Sequence, residues 1–113
     1  MSHLEYYDPE TPPNYSQWVE GKIITEGNDR LIENTLGLVG EAGEVAEKIK
    51  KMIRDNKKVT NGEIALEIGD VLFYAAALGN YLGYTFDEII EMNVNKLDSR
   101  EKRGVLQGDG DNR

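Results

Sequence analysis

Apolar residues recur at helical spacing along most of this chain. The longest such stripe runs from about Asp29 to Arg54, and its members are Leu31, Leu38, Ala42, Val45, Ile49 and Ile53. A shorter stripe lies between about Asn14 and Glu26, and its members are Tyr15, Trp18, Val19, Lys22 and Ile23. Repeats at three- and four-residue intervals are typical of amphipathic α-helices. The pattern therefore predicts a short first helix and a second helix about 40 Å long.

Two further helices are indicated by capping boxes, in which a threonine and a glutamate three residues later bond to each other's backbone N–H groups. The two pairs are Thr60 with Glu63 and Thr85 with Glu88. The third helix is expected to end near Tyr81, ahead of Gly83, and the fourth to continue to about Arg100. Because no segment alternates polar and apolar residues as a strand does, the predicted fold class is all-α.

Neither end of the chain is predicted to be helical. The segment Met1–Pro13 holds three prolines among polar residues, and residues 104–113 hold three glycines without a helical period. Proline removes a backbone donor and clashes with the preceding turn, so the first segment is a predicted arm. The second is a predicted tail, either flexible or ordered by a partner. A single domain over residues 1–113 is expected, since this length suits one core.

The amino-acid composition excludes several classes of function. The chain has 21 acidic and 13 basic residues, a net charge of -8, which argues against a nonspecific binder of nucleic-acid polymers. It has no cysteine, so disulfides and thiolate metal sites are excluded. Neither a signal-peptide pattern nor a run of about 18 apolar residues occurs. These features predict a cytoplasmic protein with no membrane partner, and the small core is consistent with association between copies of the chain.

Three glycines interrupt the second helix at three-residue spacing, at Gly37, Gly40 and Gly43. Each costs up to about 1 kcal/mol relative to alanine inside a helix. A bare ridge of this kind admits a close neighbour, which is either another helix or a ligand. Helix packing is the favoured interpretation, because it is the more common cause in a soluble protein.

Two pairs of carboxylates define the candidate chemistry. Glu41 and Glu44 lie three residues apart on the second helix, and each such pair projects from one helical face. Glu67 and Asp70 have the same spacing on the third helix. The 22 residues between Glu44 and Glu67 are enough to finish one helix, turn, and return antiparallel. The four acids are therefore expected to converge at the edge of the core.

Clustered carboxylates repel one another unless a cation compensates them. An all-oxygen ligand set suits Mg²⁺, with Mn²⁺ as the alternative, and magnesium commonly shares its shell with substrate phosphates. The competing interpretation is a pair of solvated helix faces, where glutamates at this spacing are common. A di-iron site is not expected, because the only histidine, His3, lies in the arm.

Two segments carry a family resemblance: LGLVGEAGEVAEK at residues 36–48 and EIGDVL at residues 67–72. They resemble the MazG-type all-α nucleoside triphosphate pyrophosphohydrolases, whose pattern is E-E-x-x-E followed by E-x-x-D. The resemblance continues through Asn93–Arg100 and covers roughly Trp18 to Arg113. It implies a domain resembling a four-helix bundle that hydrolyses an NTP or dNTP to the monophosphate and pyrophosphate with magnesium. One position departs from the pattern, since Gly40 stands where the family often has its first glutamate.

The resemblance also implies residue roles. The family's usual metal ligands fall on Glu41, Glu44, Glu67 and Asp70. Water attacks the α-phosphorus, and Glu41 or Glu44 is the expected catalytic group that orients or deprotonates this water. The family further implies a homodimer or homotetramer with active sites near the subunit interfaces.

Five other residues are candidates for substrate binding. Asn93, Lys96 and Arg100 lie on one face near the end of the fourth helix, where they suit phosphate oxygens, although a solvated helix end has the same pattern. The resemblance favours the phosphate contact. Trp18 is a candidate to stack on a base and Asn34 to line its pocket, with Trp18 as a core anchor the favoured alternative. The alternative function is a noncatalytic helical module that binds a nucleotide, a metal or another protein.

Overall fold

Four α-helices joined by short turns form the part of the chain that the computed structural model describes, residues 14–56 and 58–104. The helices are α1, Tyr15–Glu20; α2, Gly27–Arg54; α3, Asn61–Tyr81; and α4, Phe86–Arg103. No strand occurs in these two ranges, so the predicted all-α class is confirmed. The predicted arm and the tail beyond Gly104 lie outside the described residues. Within the described part, no helix combines the length and the apolar character needed to cross a membrane.

The first helix is shorter than its apolar stripe predicts. The Asn14 side chain caps α1 by accepting a hydrogen bond of 3.1 Å from the Gln17 N–H. The helix nevertheless ends at Glu20, with Gly21 as its C-cap, so the predicted end near Glu26 was wrong. Apolar spacing continues past Glu20, but the helix stops at Gly21, a residue of low helix propensity, and a tertiary contact holds the Glu20 side chain.

That contact is made by Arg30, which joins three helices. Its guanidinium donates two hydrogen bonds to the Glu20 carboxylate, at 2.6 and 2.7 Å, and one of 3.0 Å to the Ala77 carbonyl oxygen. The guanidinium also lies over the Tyr81 ring, 5.7 Å from its centroid. Bidentate pairing of arginine with a carboxylate combines strength with fixed geometry. The end of α1 and the start of α2 are thereby held against the last turns of α3.

Helices α2 and α3 run antiparallel and pack along most of their length. Arg30 near the start of α2 reaches Ala77 near the end of α3, and Gly37 lies against Tyr74 further along the pair. An added Cβ at residue 37 would overlap the Tyr74 ring. The helix-packing interpretation of the glycines is therefore confirmed at Gly37.

The other two glycines of α2 behave differently. An added Cβ at Gly40 or Gly43 would meet no atom within 4 Å. At 3.6 residues per turn, a three-residue spacing drifts by about 60° per step around the helix, so these positions cannot share one contact line. Only Gly37 faces α3, and Gly40 and Gly43 present bare backbone away from it.

The described part of the chain buries little apolar surface of its own. Its fully buried hydrophobic residues are Val19, Ala76 and Ala77, which join α1 to α3. Large hydrophobic side chains are exposed on all four helices, and those on α2 and α4 include Ile32, Leu36, Val39, Ile53, Ile90, Met92, Val94 and Leu97. Contiguous exposed apolar surface of this extent usually marks a surface that another molecule covers.

The start of α4 is fixed to α1 and α3. The Phe86 N–H donates a hydrogen bond of 2.8 Å to the Ser16 hydroxyl, and the Phe86 ring meets the edge of the Tyr15 ring at 5.5 Å. One turn later the Ile89 side chain lies against Gly79, where a Cβ would overlap it. The capping boxes at both helix starts are present as predicted, with Thr60 and Thr85 as the N-caps.

Candidate metal centre

Three carboxylates converge in the middle of the α2–α3 pair. Glu41 of α2 and Glu67 and Asp70 of α3 each offer an oxygen, and these oxygens all lie within 4.8 Å of one another. Glu41 and Glu67 are half-buried, whereas Asp70 is exposed. The close approach of Tyr74 to Gly37, one turn from Glu41, holds the two helices near enough for this convergence.

The cluster is electrostatically uncompensated within the described residues. The pKa of Glu41 is raised by burial, and further by the negative charges of Asp70, Glu67 and Glu44. The ion pairs that described residues form with one another lie elsewhere, at Glu20–Arg30, Glu47–Lys50 and Arg54–Asp55. Three hard oxygen donors around a common point, outside the ion pairs that residues 14–56 and 58–104 form with one another, fit a divalent cation.

The fourth predicted ligand, Glu44, stands apart from the other three. It is exposed and does not belong to the set of oxygens within 4.8 Å. It lies one turn beyond Glu41 on α2 and is near enough to contribute to the raised pKa of that residue. Its role as a ligand stays a prediction.

Aromatic side chains pack between α1 and α3. The Trp18 ring stacks on Tyr15 at 5.7 Å, meets Phe73 edge-on at 6.1 Å, and carries the Lys22 ammonium at 5.5 Å. Trp18 is still 42% exposed, so it both anchors α1 and presents surface to solvent. Burial and, to a lesser extent, the negative charge of Asp70 raise the pKa of the Tyr15 hydroxyl.

Asn34 lies inside the helix packing rather than on an open surface. Its side chain is fully buried on the face of α2 that carries Arg30 and Glu41. Neither its amide nitrogen nor its amide oxygen has a hydrogen-bond partner among the described residues. A buried polar group left unpaired costs about 1–3 kcal/mol, so such a group needs a specific explanation.

The residues of α4 that were predicted to contact phosphate lie in two different environments. Asn93 and Lys96 line a groove of about 730 Å³ between α4 and the end of α3, which Gly79, Leu82 and Ile89 also line. None of the clustered acids lines this groove. Arg100 is buried, at 3% exposure, and is not one of the residues that line the groove.

Two residues next to Trp18 were not predicted from the sequence as site residues. Tyr15 and Lys22 were assigned only to the apolar stripe of α1, yet both contact the Trp18 ring. Their spacing from Trp18, three and four residues, would place all three on one face of a continuous helix. Because α1 ends at Glu20, Lys22 instead reaches the Trp18 ring from the turn that follows the helix.

Helix pairing and acid placement together define an all-α protein with an acidic centre between two antiparallel helices. Residues 30–105 match the family model described as the MazG nucleotide pyrophosphohydrolase domain. The chain is also similar to the Gene 37 protein of Mycobacterium phage L5, with 49% identity over 83 residues, covering 70% of this chain and 73% of that protein. No solved structure matches the chain. The chain belongs to the MazG nucleotide pyrophosphohydrolase family, and its acidic centre lies within the matched residues.

Proposed function

We propose that this protein hydrolyses a nucleoside triphosphate, either an NTP or a dNTP, to the monophosphate and pyrophosphate with Mg²⁺ as cofactor. Mn²⁺ is the alternative ion. The observation that carries the proposal is the convergence of Glu41, Glu67 and Asp70 within 4.8 Å. Family membership supports a nucleotide as the substrate. The proposal includes a cytoplasmic location, because free nucleotides are found there.

The reaction needs binding, orientation and one proton transfer. A bound divalent cation supplies positive charge against the triphosphate and polarises the phosphoryl group under attack. Glu41, Glu67 and Asp70 hold that cation. Glu44 lies outside this set and one turn away, which favours it over Glu41 as the group that orients the attacking water and takes up its proton. Pyrophosphate leaves as the water oxygen bonds to the α-phosphorus.

Substrate recognition is assigned to two sets of side chains. Trp18 is half-exposed and offers an aromatic surface for the base, and Asn34 is proposed to contact the base from within the helix packing. The phosphate contacts proposed on α4 are Asn93, Lys96 and Arg100. Because the α4 groove does not include the acids of the same chain, these contacts fit best if two copies of the chain form a homodimer or homotetramer.

Product-resolved assays on a panel of nucleotides test the proposal. With Mg²⁺, the panel should yield pyrophosphate and a monophosphate, whereas release of inorganic phosphate would indicate cleavage at another bond. Glu41→Gln, Glu44→Gln and Asp70→Asn should each lower turnover at least a hundredfold. Glu33→Gln, which changes an exposed glutamate of the same helix, is the matched control and should retain full activity.

A noncatalytic module is the second candidate function, and the exposed apolar side chains of α2 and α4 favour it. Such a module would show no turnover of any canonical or damaged nucleotide. If Mg²⁺ still raised the thermal midpoint, the protein would be a metal or nucleotide binder. If the protein showed neither nucleotide turnover nor a higher thermal midpoint with Mg²⁺, protein interaction would remain as its function.

A further inference from the structure

Helix α4 is exposed along most of its length. Every residue from Asp87 to Ser99 is exposed, and the contacts of α4 with α1 and its close approach to α3 lie at its start, at Phe86 and Ile89. Among the 18 residues of α4, all of which the structure describes, Arg100 is the only buried one, at 3% exposure. A guanidinium is buried favourably only where acceptors surround it. The far end of an exposed helix therefore carries a covered cation.

The groove between α3 and α4 leads along the helix toward this cation. Its lining includes Ile89, Asn93 and Lys96, and Arg100 follows Lys96 by four residues. Steps of three and four residues place all four on one side of the helix. The groove has a volume of about 730 Å³, which is enough for several side chains. It starts apolar at Ile89 and continues to two cations.

The arm, residues 1–13, joins the fold at the beginning of this groove. Asn14 lines a smaller cavity of about 340 Å³ together with Tyr84, and Tyr84 also lines the groove, so the two adjoin. The backbone of Asn14 is extended, and two residues later the Ser16 hydroxyl accepts the hydrogen bond from the Phe86 N–H. The arm therefore joins the described chain level with the first turn of α4.

The composition of the arm suits the groove. It has three carboxylates, Glu5, Asp8 and Glu10, and no lysine or arginine, so its charge is opposite to that of the groove's cationic end. Its prolines favour an extended polyproline II conformation, which docks on apolar and aromatic surfaces with little loss of chain entropy. It also carries Tyr6 and Tyr7, and tyrosine rings stack on guanidinium groups.

Spacing along the arm matches spacing along α4. A polyproline II segment rises about 3.1 Å per residue, so Asp8 lies about 19 Å and Tyr7 about 22 Å from Asn14. An α-helix rises about 1.5 Å per residue, so Lys96 lies about 16 Å and Arg100 about 22 Å from the N-cap of α4. Asp8 thus comes level with Lys96. Tyr7 comes level with Arg100.

We propose that the arm docks as an extended segment in the α3–α4 groove of its own chain, with Asp8 beside Lys96 and Tyr7 over Arg100. Lys96 and Arg100 are also the cations that the proposed function assigns to the substrate phosphates, so the consequence for catalysis rests on that function. A carboxylate beside Lys96 competes with a phosphate oxygen for the same donor. The arm is therefore an internal competitor that the triphosphate displaces when it binds.

Cysteine pairs test the docking, because the chain has no cysteine of its own. A full-length chain carrying Asp8→Cys and Lys96→Cys should form an internal disulfide under mild oxidation, since its Cα atoms lie within reach of about 7 Å. The control pair is Asp8→Cys with Asp98→Cys. Asp98 is exposed and follows Lys96 by two residues, so it projects from the opposite side of α4 at nearly the same height. The first pair should link at least tenfold faster, as peptide mass mapping measures.

Three outcomes would overturn the docking. Equal rates for the two pairs would show that the arm does not select this side of α4. Faster linkage of Leu106→Cys than of Asp8→Cys to Lys96→Cys would assign the groove to the tail. A mixture of Asp8→Cys chains and Lys96→Cys chains that linked between chains as fast as the double variant links within one would assign the arm to the groove of a neighbouring copy.

A full-length charge variant tests the competition with substrate. Glu5→Gln, Asp8→Asn and Glu10→Gln together keep the length of the arm and remove its carboxylates. The KM for a nucleoside triphosphate should fall at least threefold while kcat stays within twofold, and circular dichroism checks that the helices are kept. The control variant neutralises three exposed acids outside the arm, changes the net charge equally and should keep the native KM; it combines Glu26→Gln, Glu33→Gln and Glu91→Gln.

The two experiments separate this proposal from the proposed function. An unchanged KM in the arm variant, or an equal fall in the arm and control variants, would exclude competition by the arm. Absence of turnover in the native chain would contradict the proposed function alone, because the disulfide rates decide the docking without any nucleotide.

Discussion

The ring of Tyr74 occupies the space in which a side chain at residue 37 would stand. Gly37 thereby sets how closely α2 and α3 approach, one turn away from the carboxylate of Glu41. The geometry of the acidic centre depends on this contact, because Glu41 comes from one helix of the pair and Glu67 and Asp70 come from the other.

Replacing Gly37 with alanine is therefore expected to destabilise the protein and weaken metal binding. Overpacking costs about 1–3 kcal/mol, of which the better helix propensity of alanine offsets up to about 1 kcal/mol. Chemical denaturation measures the stability, and calorimetric titration with Mg²⁺ measures the affinity. Gly40→Ala is the matched control, because its Cβ meets nothing within 4 Å, and it should be as stable as the native chain or slightly more so. Equal stability of the two variants would show that the helices do not need the close approach.

Neutralising one acid of the cluster should have opposite effects with and without metal. Asp70→Asn removes a charge that helps raise the pKa of Glu41, so the metal-free protein should unfold at an equal or higher temperature. The same variant should lose most of the increase in thermal midpoint that Mg²⁺ gives the native chain, since binding to the folded state is what produces this increase. Differential scanning fluorimetry with and without Mg²⁺ measures both. An unchanged Mg²⁺ response would contradict the assignment of Asp70 as a ligand.

The ion pair between Glu20 and Arg30 predicts a loss of stability in acid. Hydrogen bonds from Arg30 hold the pKa of Glu20 below its ordinary value of 4.5. The folded state therefore favours the ionised carboxylate, so this contribution is complete above the ordinary pKa and is lost as pH falls through that value toward the lowered one. Glu20→Gln should be about 1 kcal/mol less stable at pH 7, a modest figure because the carboxylate is half-exposed, and the difference should shrink below pH 4.

Urea denaturation at several pH values measures this difference. Glu91→Gln changes an exposed glutamate on α4 and should show no comparable pH dependence. A difference between native chain and Glu20→Gln that stayed constant from pH 7 to pH 3 would exclude the ion pair as its source.

The buried amide of Asn34 predicts a conflict between stability and function. Leucine has nearly the same shape but no polar atoms, so Asn34→Leu removes a buried, unpaired group that costs about 1–3 kcal/mol. The thermal midpoint of the free protein is expected to rise by about 5 °C. If Asn34 contacts the base, KM should increase at least tenfold while kcat changes little. A stabilised variant with an unchanged KM for every nucleotide would make the role of Asn34 purely structural.

The parts of the fold that depend on local sequence were predictable. The capping boxes at Thr60 and Thr85 fix the starts of α3 and α4, because both partners of each bond lie within four residues. The end of α1 was not predicted from its apolar spacing, although Gly21 is a local signal for a helix end, and the contact of Glu20 with Arg30, ten residues away, is visible only in the structure. A contact of this kind leaves no trace in apolar spacing.

The acidic centre likewise combines features that the sequence predicts with features that only the structure shows. Spacing on two antiparallel helices was enough to place Glu41, Glu67 and Asp70 together, because helical geometry and one short turn determine their positions. Glu44 shares that spacing, but it lies outside the cluster, since a difference of one turn decides which oxygens meet. The complete burial of Asn34 also depends on the packing of α1 and α3, which periodicity alone does not reveal.

The hydrogen bond from the Phe86 N–H to the Ser16 hydroxyl spans 70 residues of sequence. A contact of such separation has a high cost of loop closure, so it forms late, whereas the α2–α3 hairpin between these residues is built from nearer neighbours. During synthesis, α1 therefore leaves the ribosome before α4, and the hydrogen bond between Ser16 and Phe86 cannot form until the beginning of α4 has followed. The contacts of α1 with α2 and α3, made by Glu20 and Val19, do not depend on α4.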